Sequence, residues 1–408
     1  MKKFLFIASI TALLFSGCAE DSLMEREMFS GQEKETAPVA LNVTLSYPQE
    51  ARAAAAGQTR IYAEDAATSH VVQTVTAEEG NVTLTLVPGV YNLYAESLAE
   101  GNETDGYLTA KALNVAIGKE RNNLPLQFER TRYSAGLKLL TVYFRGARSN
   151  YYKDKFFVVY NNGNQAEPIA NLAIAEGCFV NLDSYDNLNP DVRPGAMGIH
   201  ALYKIPSNVT RMLQPGEKLV LCDQAQNHST AASNSVNLSG ADYEWYDNHP
   251  LDVDNTLVPN LEKIYCYTAT IWTPHSRGYR SYALARVPVD AAGFSAPAYD
   301  YTYSYDYTYF HPGIGQDTTI VLNHSDRKIP ASWILDVVNC SKRDEFLFNP
   351  APQKDAGYVS LINETTYGVA MKRDYLGVIG GKKRYKDTGN STNDFRMNLP
   401  VRNAFLND

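Results

Sequence analysis

The chain lacks the short signatures by which common catalytic sites are recognised. Its 408 residues contain no G-x-S-x-G elbow, no H-E-x-x-H pair and no S-x-x-K followed by K-T-G, so nothing nominates an activated nucleophile or a zinc-peptidase centre. Histidine is scarce, and none of His70, His200, His228, His249, His275, His311 and His324 stands at helical ligand spacing from another. Cysteine is sparse too: there is no C-x-x-C pair, which removes the zinc ribbon and the thioredoxin-like site. Positive charge is in deficit, with 37 Lys and Arg against 45 Asp and Glu and a net charge of −8, which argues against a phosphate backbone as partner and so against nucleic acid. No helical apolar period persists beyond about three turns.

Only one long apolar run exists, from Phe4 to Phe15, and it follows Lys2 and Lys3. A bilayer core of ~30 Å needs about 20 apolar residues in a helix, so the run is too short to span and reads as the h-region of an export signal. Small Ser16 and Gly17 then lead to Cys18. Phe15-Ser16-Gly17-Cys18 resembles the lipobox of bacterial lipoproteins, with Phe15 where an aliphatic residue is usual. The resemblance implies a signal peptide over 1–17, lipidation of Cys18, and stable outer-membrane anchoring through two acyl chains. Glu20 and Asp21 resemble the acidic tag with which Bacteroidota-type anaerobes send lipoproteins to the outer leaflet, and the alternative is a merely solvated tether. Residues 18–36 are polar without a period and read as a flexible tether.

From Val39 the pattern is that of strands. Val39, Leu41, Val43 and Leu45 alternate with Ala40, Asn42, Thr44 and Ser46, the period of a strand with one buried face. Alternation returns at 82–86, and Pro88-Gly89 followed by Val90 to Tyr94 predicts a hairpin there. Leu113, Val115 and Ile117, then Leu124, Leu126 and Phe128, complete short strands at the spacing of a β-sandwich over 37–130. With its "L-V-P-G-V-Y-N-L" turn this stretch resembles the prealbumin-like or carboxypeptidase-regulatory-like sandwiches, which usually serve as spacers.

Residues 137–408 read as a second, larger β unit with turns at Asn161-Asn162-Gly163 and Gln214-Pro215-Gly216. Phe156 to Tyr160 and Trp333 to Val338 suit buried strands, and Asp336 within the latter demands a partner if buried. "D-K-F-F-V-V-Y-N-N-G", "L-Q-P-G-E-K-L-V-L", "W-I-L-D-V-V" and "Y-K-D-T-G-N-S-T-N-D-F" resemble, in that order, segments of lamin-tail-type immunoglobulin folds. With "Y-E-W-Y-D", "V-D-N" and "V-P-N-L" they resemble a family of uncharacterised Bacteroidota lipoproteins carrying a domain of unknown function. The expected architecture is all-β: two immunoglobulin-like or prealbumin-like sandwiches in tandem, the second lamin-tail-like with long loop insertions.

Four features compete for a functional role. Tyr299, Tyr301, Tyr303, Tyr305, Tyr307 and Tyr309 alternate with small polar residues, so an extended chain puts six rings on one face, either as cross-strand packing or as an aromatic platform for a flat ligand, extended by Phe310 and His311. Asp247, His249, Asp252 and Asp254, beside Asp242 and Glu244, offer oxygen ligands for calcium, or else form a loop ordered by Asx turns. Cys222, Asp223 and His228 are close enough for a transition-metal site, or are structural. Gly377 to Lys383 has the wrong glycine spacing for a phosphate loop and reads as a glycine-rich turn. No cofactor is implied beyond the calcium alternative. Cys178, Cys222, Cys266 and Cys340 allow three disulfide pairings, or none.

The expected role is non-catalytic binding at the cell surface, as an accessory to a TonB-dependent outer-membrane uptake system. A structural or adhesive surface protein is the second reading, and a hydrolase with unrecognised residues the third.

Overall fold

The computed structural model describes residues 37–49, 59–68, 70–77, 80–102, 106–118, 123–268, 270–361 and 366–406. The signal, Cys18, Glu20, Asp21 and the tether lie outside the described residues.

The alternation that begins at Val39 builds strand Val39–Ser46, with Leu41, Val43 and Leu45 buried and Ala40, Asn42 and Thr44 exposed. It is the centre of a three-stranded sheet, antiparallel to Asn81–Leu86 and parallel to Asn123–Gln127. A second sheet runs in the order Val71–Ala77, Thr59–Asp65, Gly89–Asn102, Gly106–Ile117 and Glu129–Thr131. Leu41, Val43, Leu84 and Leu86 of the first sheet meet Ile61, Ala63, Leu93 and Ala95 of the second in one apolar cluster. Each leucine, valine or isoleucine among them contributes about 1.5–3 kcal/mol by leaving water.

The hairpin expected around Pro88-Gly89 is not formed. Asn81–Leu86 pairs with Val39–Ser46, whereas Gly89–Asn102 pairs with Thr59–Asp65 and Gly106–Ile117, so the Pro-Gly step carries the chain from one sheet to the other. Leu84 and Leu93 therefore enter the same core from different sheets. A hydrogen bond from the Tyr91 hydroxyl to the Val87 carbonyl, 2.7 Å, fastens this corner.

The rest of the chain forms a larger sandwich. One sheet runs Tyr243–Glu244, Lys218–Cys222, Phe156–Asn161, Leu137–Tyr143, Val369–Arg373 and Phe395–Pro400. The other runs Asp186–Asn189, Asp300–His311, Gln316–Pro330, Ala196–Lys204, Leu172–Gly177, Tyr282–Arg286 and Ile334–Val338, with Glu262–Cys266 also paired to Ala196–Lys204. Leu139, Phe157, Val159 and Leu219 pack on Ile174, Tyr203, Tyr282 and Leu284, and Trp245 and Trp272 join them. Leu140, Tyr143, Phe156 and Val158 point the opposite way and are covered by Val236, Leu238, Val401 and Ala404. Both faces of these strands are thus buried, which is why Phe156 to Tyr160 reads as an unbroken apolar run rather than an alternation.

Asp336 has the partner it needs. The Arg373 guanidinium, from the opposite sheet, donates to both of its oxygens at 2.8 Å, and the Leu139 amide donates at 2.7 Å. The four cysteines are free thiols, so none of the three pairings forms. The structure is all-β, and its described helices, Ala291–Phe294, Ser391–Asp394 and Val401–Leu406, are short.

Candidate functional site

The tyrosine repeat folds as one strand of a long hairpin. Asp300–His311 pairs antiparallel with Gln316–Pro330, from Asp300 opposite Arg327 to His311 opposite Gln316. Gly315, at φ +67°, helps close the turn, a conformation that side chains with a Cβ rarely adopt. Asp186–Asn189 flanks the first strand only as far as Asp306, and Ala196–Lys204 flanks the second only from Arg327 onward. Beyond those points the hairpin leaves the sandwich as a two-stranded arm.

The six tyrosines divide into three environments. Tyr299 precedes the strand, in a 3-10 turn, and packs against Phe294 and Trp333 at 4.8 and 5.4 Å between ring centroids. Tyr301, Tyr303 and Tyr305 are buried at the foot of the arm, stacked at 4.5 and 6.3 Å along the strand. Phe179 lies 5.3 Å from Tyr303, Tyr185 lies 4.6 Å from Tyr305, and Phe348 packs on both Phe179 and Tyr185. His324, from the second strand, stacks 5.5 Å from both Tyr303 and Tyr305. The Tyr303 hydroxyl donates to Asp326 at 3.1 Å, and that carboxylate also meets His200 at 3.1 Å. Burial drives the phenol of Tyr301 well above its ordinary range, and that of Tyr303 further, so both act as neutral donors.

Tyr307 and Tyr309 lie on the arm beyond the sandwich, 6.0 Å apart and stacked, with Tyr307 42% exposed. Ile320 is directly opposite Tyr307 and exposed, and Phe310, Ile314 and Val321 are exposed as well. From Tyr307 to Ser325 the only carboxylate is Asp317, and there is no Lys or Arg. At the foot, a cleft of about 360 Å³ opens between Tyr299, Tyr301, Pro190, Asp191 and Lys328.

The acidic loop is ordered by its own hydrogen bonds. Asp247 accepts from the Tyr203 hydroxyl and the Trp272 amide, both at 2.7 Å, and pairs with Lys263 at 2.8 Å. Asp252 accepts from the Asp247 amide at 2.8 Å, His249 Nδ1 from the Leu251 amide at 3.2 Å, and Asp254 from the Asn260 side chain at 3.0 Å. Among the described residues no group of three or more His, Cys, Asp or Glu side chains converges as the ligands of a metal ion would. His228 is held between the Tyr151 hydroxyl at 2.9 Å and the Gln224 carbonyl at 2.8 Å.

Glu244 accepts from the Ala225 and Asn255 amides at 2.7 and 2.6 Å, and burial raises its carboxyl to about 7, with neighbouring Asp254 adding to the rise. Unfolded glutamate releases its proton near the ordinary value of 4.5, so the native state holds more protons between that value and about 7. Stability contributed here therefore falls as pH rises through this window. In melting curves at pH 5 and pH 8, wild type is expected to lose more stability on going to pH 8 than Glu244→Gln does. Equal losses would show that Glu244 does not titrate there.

Residues 377–383 form a tight hairpin, Tyr375–Ile379 with Lys382–Tyr385, turned by Gly380 and Gly381 at φ +63° and +72°. It docks on the N-terminal sandwich, with Lys383 against Glu64 at 2.6 Å, Lys111 donating to the Tyr375 carbonyl at 2.6 Å, and the Gly381 amide donating to Glu96 at 3.2 Å. None of these contacts could be read from sequence, since their members stand 264 to 319 positions apart.

Residues 214–401, which contain the arm, match the model of a family described as "Protein of unknown function (DUF4876)". The fold is similar to the crystal structure of a DUF4876 family protein from Bacteroides thetaiotaomicron VPI-5482, at 19% identity and a TM-score of 0.56, over 90% of this chain and 98% of that one. No curated protein matches the sequence. The chain is thus similar to the DUF4876 family over residues 214–401 and shares its overall fold with a member of that family.

Proposed function

We propose that this protein is a surface lipoprotein, anchored through Cys18, that binds a neighbouring outer-membrane protein without catalysis, as an accessory to a TonB-dependent transporter. Its scaffold is read as immunoglobulin-like, with the N-terminal sandwich as spacer. The observation that carries the reading is the arm: its foot is packed into the larger sandwich, while Tyr307, Phe310, Ile314, Ile320 and Val321 stand exposed on its outer part. Isolated hairpins are marginal in water, so a long one held by a buried aromatic foot is suited to presenting its outer half. Tyrosine and other aromatics dominate the energetics of protein interfaces, and the lipobox resemblance supports a role for the arm at a membrane surface.

Affinity capture from native outer membranes tests the proposal. Wild type is expected to bring down a transporter. Tyr307→Ser, Tyr309→Ser and Phe310→Ser combined should cut recovery at least tenfold with an unchanged melting temperature. Cys18→Ser should leave the chain unacylated and soluble. Undiminished capture by the triple variant would exclude the arm as the contact, and a wild type that captures no transporter would favour the adhesive reading.

A further inference from the structure

We infer that the second strand of the arm pairs with the same strand of a second copy of this chain, joining two arms into one four-stranded antiparallel sheet. The contact uses an edge of the arm rather than its tyrosine face, and it does not depend on binding to a transporter.

The edge is long and bare. Gln316–Pro330 pairs along one side with Asp300–His311, and along its other side it meets Ala196–Lys204 only from Arg327 to Pro330. From Gln316 to Ser325 no strand among the described residues takes up that outer side. Proteins usually blunt such an edge with lysine, proline or a bulge. None of these is present: Gln316 to Ser325 contains no Lys, Arg or Pro, and the register against Asp300–His311 runs without a shift. A two-stranded ribbon is marginal in water, and further strands sharing an apolar face are what stabilise it.

The residues along the edge select its own copy as the partner. Two copies of a strand related by a two-fold axis perpendicular to the sheet run antiparallel, keep their faces, and set each residue opposite the one equally far beyond the axis. With the axis at Val321, the two Val321 side chains meet, Ile320 lies opposite Leu322 of the second copy, Thr319 opposite Asn323, and Thr318 opposite His324. Centring on Ile320 instead sets Leu322 against Thr318 and Val321 against Thr319, and centring on Leu322 sets Ile320 against His324 and Val321 against Asn323. Only the Val321 register matches all three aliphatic residues with aliphatic residues. Charge agrees with it. Asp317, the one acid in this run, falls opposite Ser325, so no like charges meet even though each chain carries a net charge of −8.

The pairing continues rows that each arm already contains. Leu322 stands opposite Tyr305 and Ile320 opposite Tyr307 within the hairpin. One row across the four strands therefore reads Tyr305, Leu322, and then Ile320 and Tyr307 of the second copy. Ile320 and Val321, 41% and 61% exposed in the single chain, are partly covered by it.

Size-exclusion chromatography with light scattering, on the full chain carrying Cys18→Ser so that lipid and detergent stay out of the measurement, tests the pairing. At micromolar concentration this parent chain is expected at twice its own mass. Val321→Lys and Val321→Glu each place like charges directly opposite at the axis, and each should weaken self-association at least tenfold with an unchanged circular dichroism spectrum. An equimolar mixture of the two should return to the double mass. Tyr307→Ser, Tyr309→Ser and Phe310→Ser combined, which alter the other strand, should leave the double mass intact, so self-association and transporter capture fail separately. A parent chain at its single mass, a double mass that survives both Val321 substitutions, a mixture that stays single, or loss of the double mass in the triple variant would each overturn the pairing.

Discussion

Replacing Arg373 with alanine is expected to lower the unfolding free energy by about 3–5 kcal/mol, the usual cost of leaving one member of a buried ion pair alone. Its guanidinium bridges the two sheets of the larger sandwich: besides both oxygens of Asp336, it donates to the carbonyls of Leu139 at 3.0 Å and Lys386 at 2.8 Å, and it stacks 4.7 Å from Phe395. Removal strands a carboxylate whose pKa is already raised, chiefly by burial, and for which Arg373 is the foremost opposing influence. Urea unfolding measures the loss. The companion double change, Arg373→Met with Asp336→Leu, should recover part of it, because Asp336 no longer needs a partner, while Asp387 and Asp394, 3.4 and 3.5 Å from the guanidinium, keep Lys138 and Thr388 as theirs. A single change costing less than about 1 kcal/mol would mean that water reaches the pair.

Tyr303→Ala is expected to cost about 3–5 kcal/mol, as large aromatic truncations in a core do. The ring is packed among Phe179, Tyr301 and His324, and its hydroxyl is a donor to Asp326. Tyr307→Ala, four residues farther along the same strand, should change stability by no more than about 0.5 kcal/mol, because its ring is 42% exposed and lies outside the packed foot of the arm. Thermal unfolding of the two variants side by side is decisive. Equal effects would mean that the outer arm folds back onto the body of the protein in solution.

Period 2 was enough to read the tyrosine segment as an extended strand and the region around it as all-β. What it could not reveal is where the strand leaves the protein. That depends on Phe179 and Tyr185 from one stretch of the chain and Phe348 from another, which cover only the first part of the ribbon. Asp336 illustrates the same limit: a carboxylate in an apolar strand requires a partner, yet nothing local points to Arg373 on the facing sheet. At Pro88-Gly89 the residues identify a turn but not the sheet that the next strand will join, and Leu84 and Leu93 satisfy the same core either way. The acidic loop had the composition of a calcium site, but composition does not say that Tyr203, Trp272 and Lys263 already occupy the Asp247 carboxylate.

The arm also separates two kinds of selection. Changes among Tyr301, Tyr303 and Tyr305 are felt by the whole sandwich, so this half of the hairpin is constrained by folding itself. From Tyr307 to Val321 the chain mostly meets solvent, and substitutions there escape that constraint. Descendants of one such fold could exchange the outer half of the arm, and with it their recognition, while inheriting the foot unchanged.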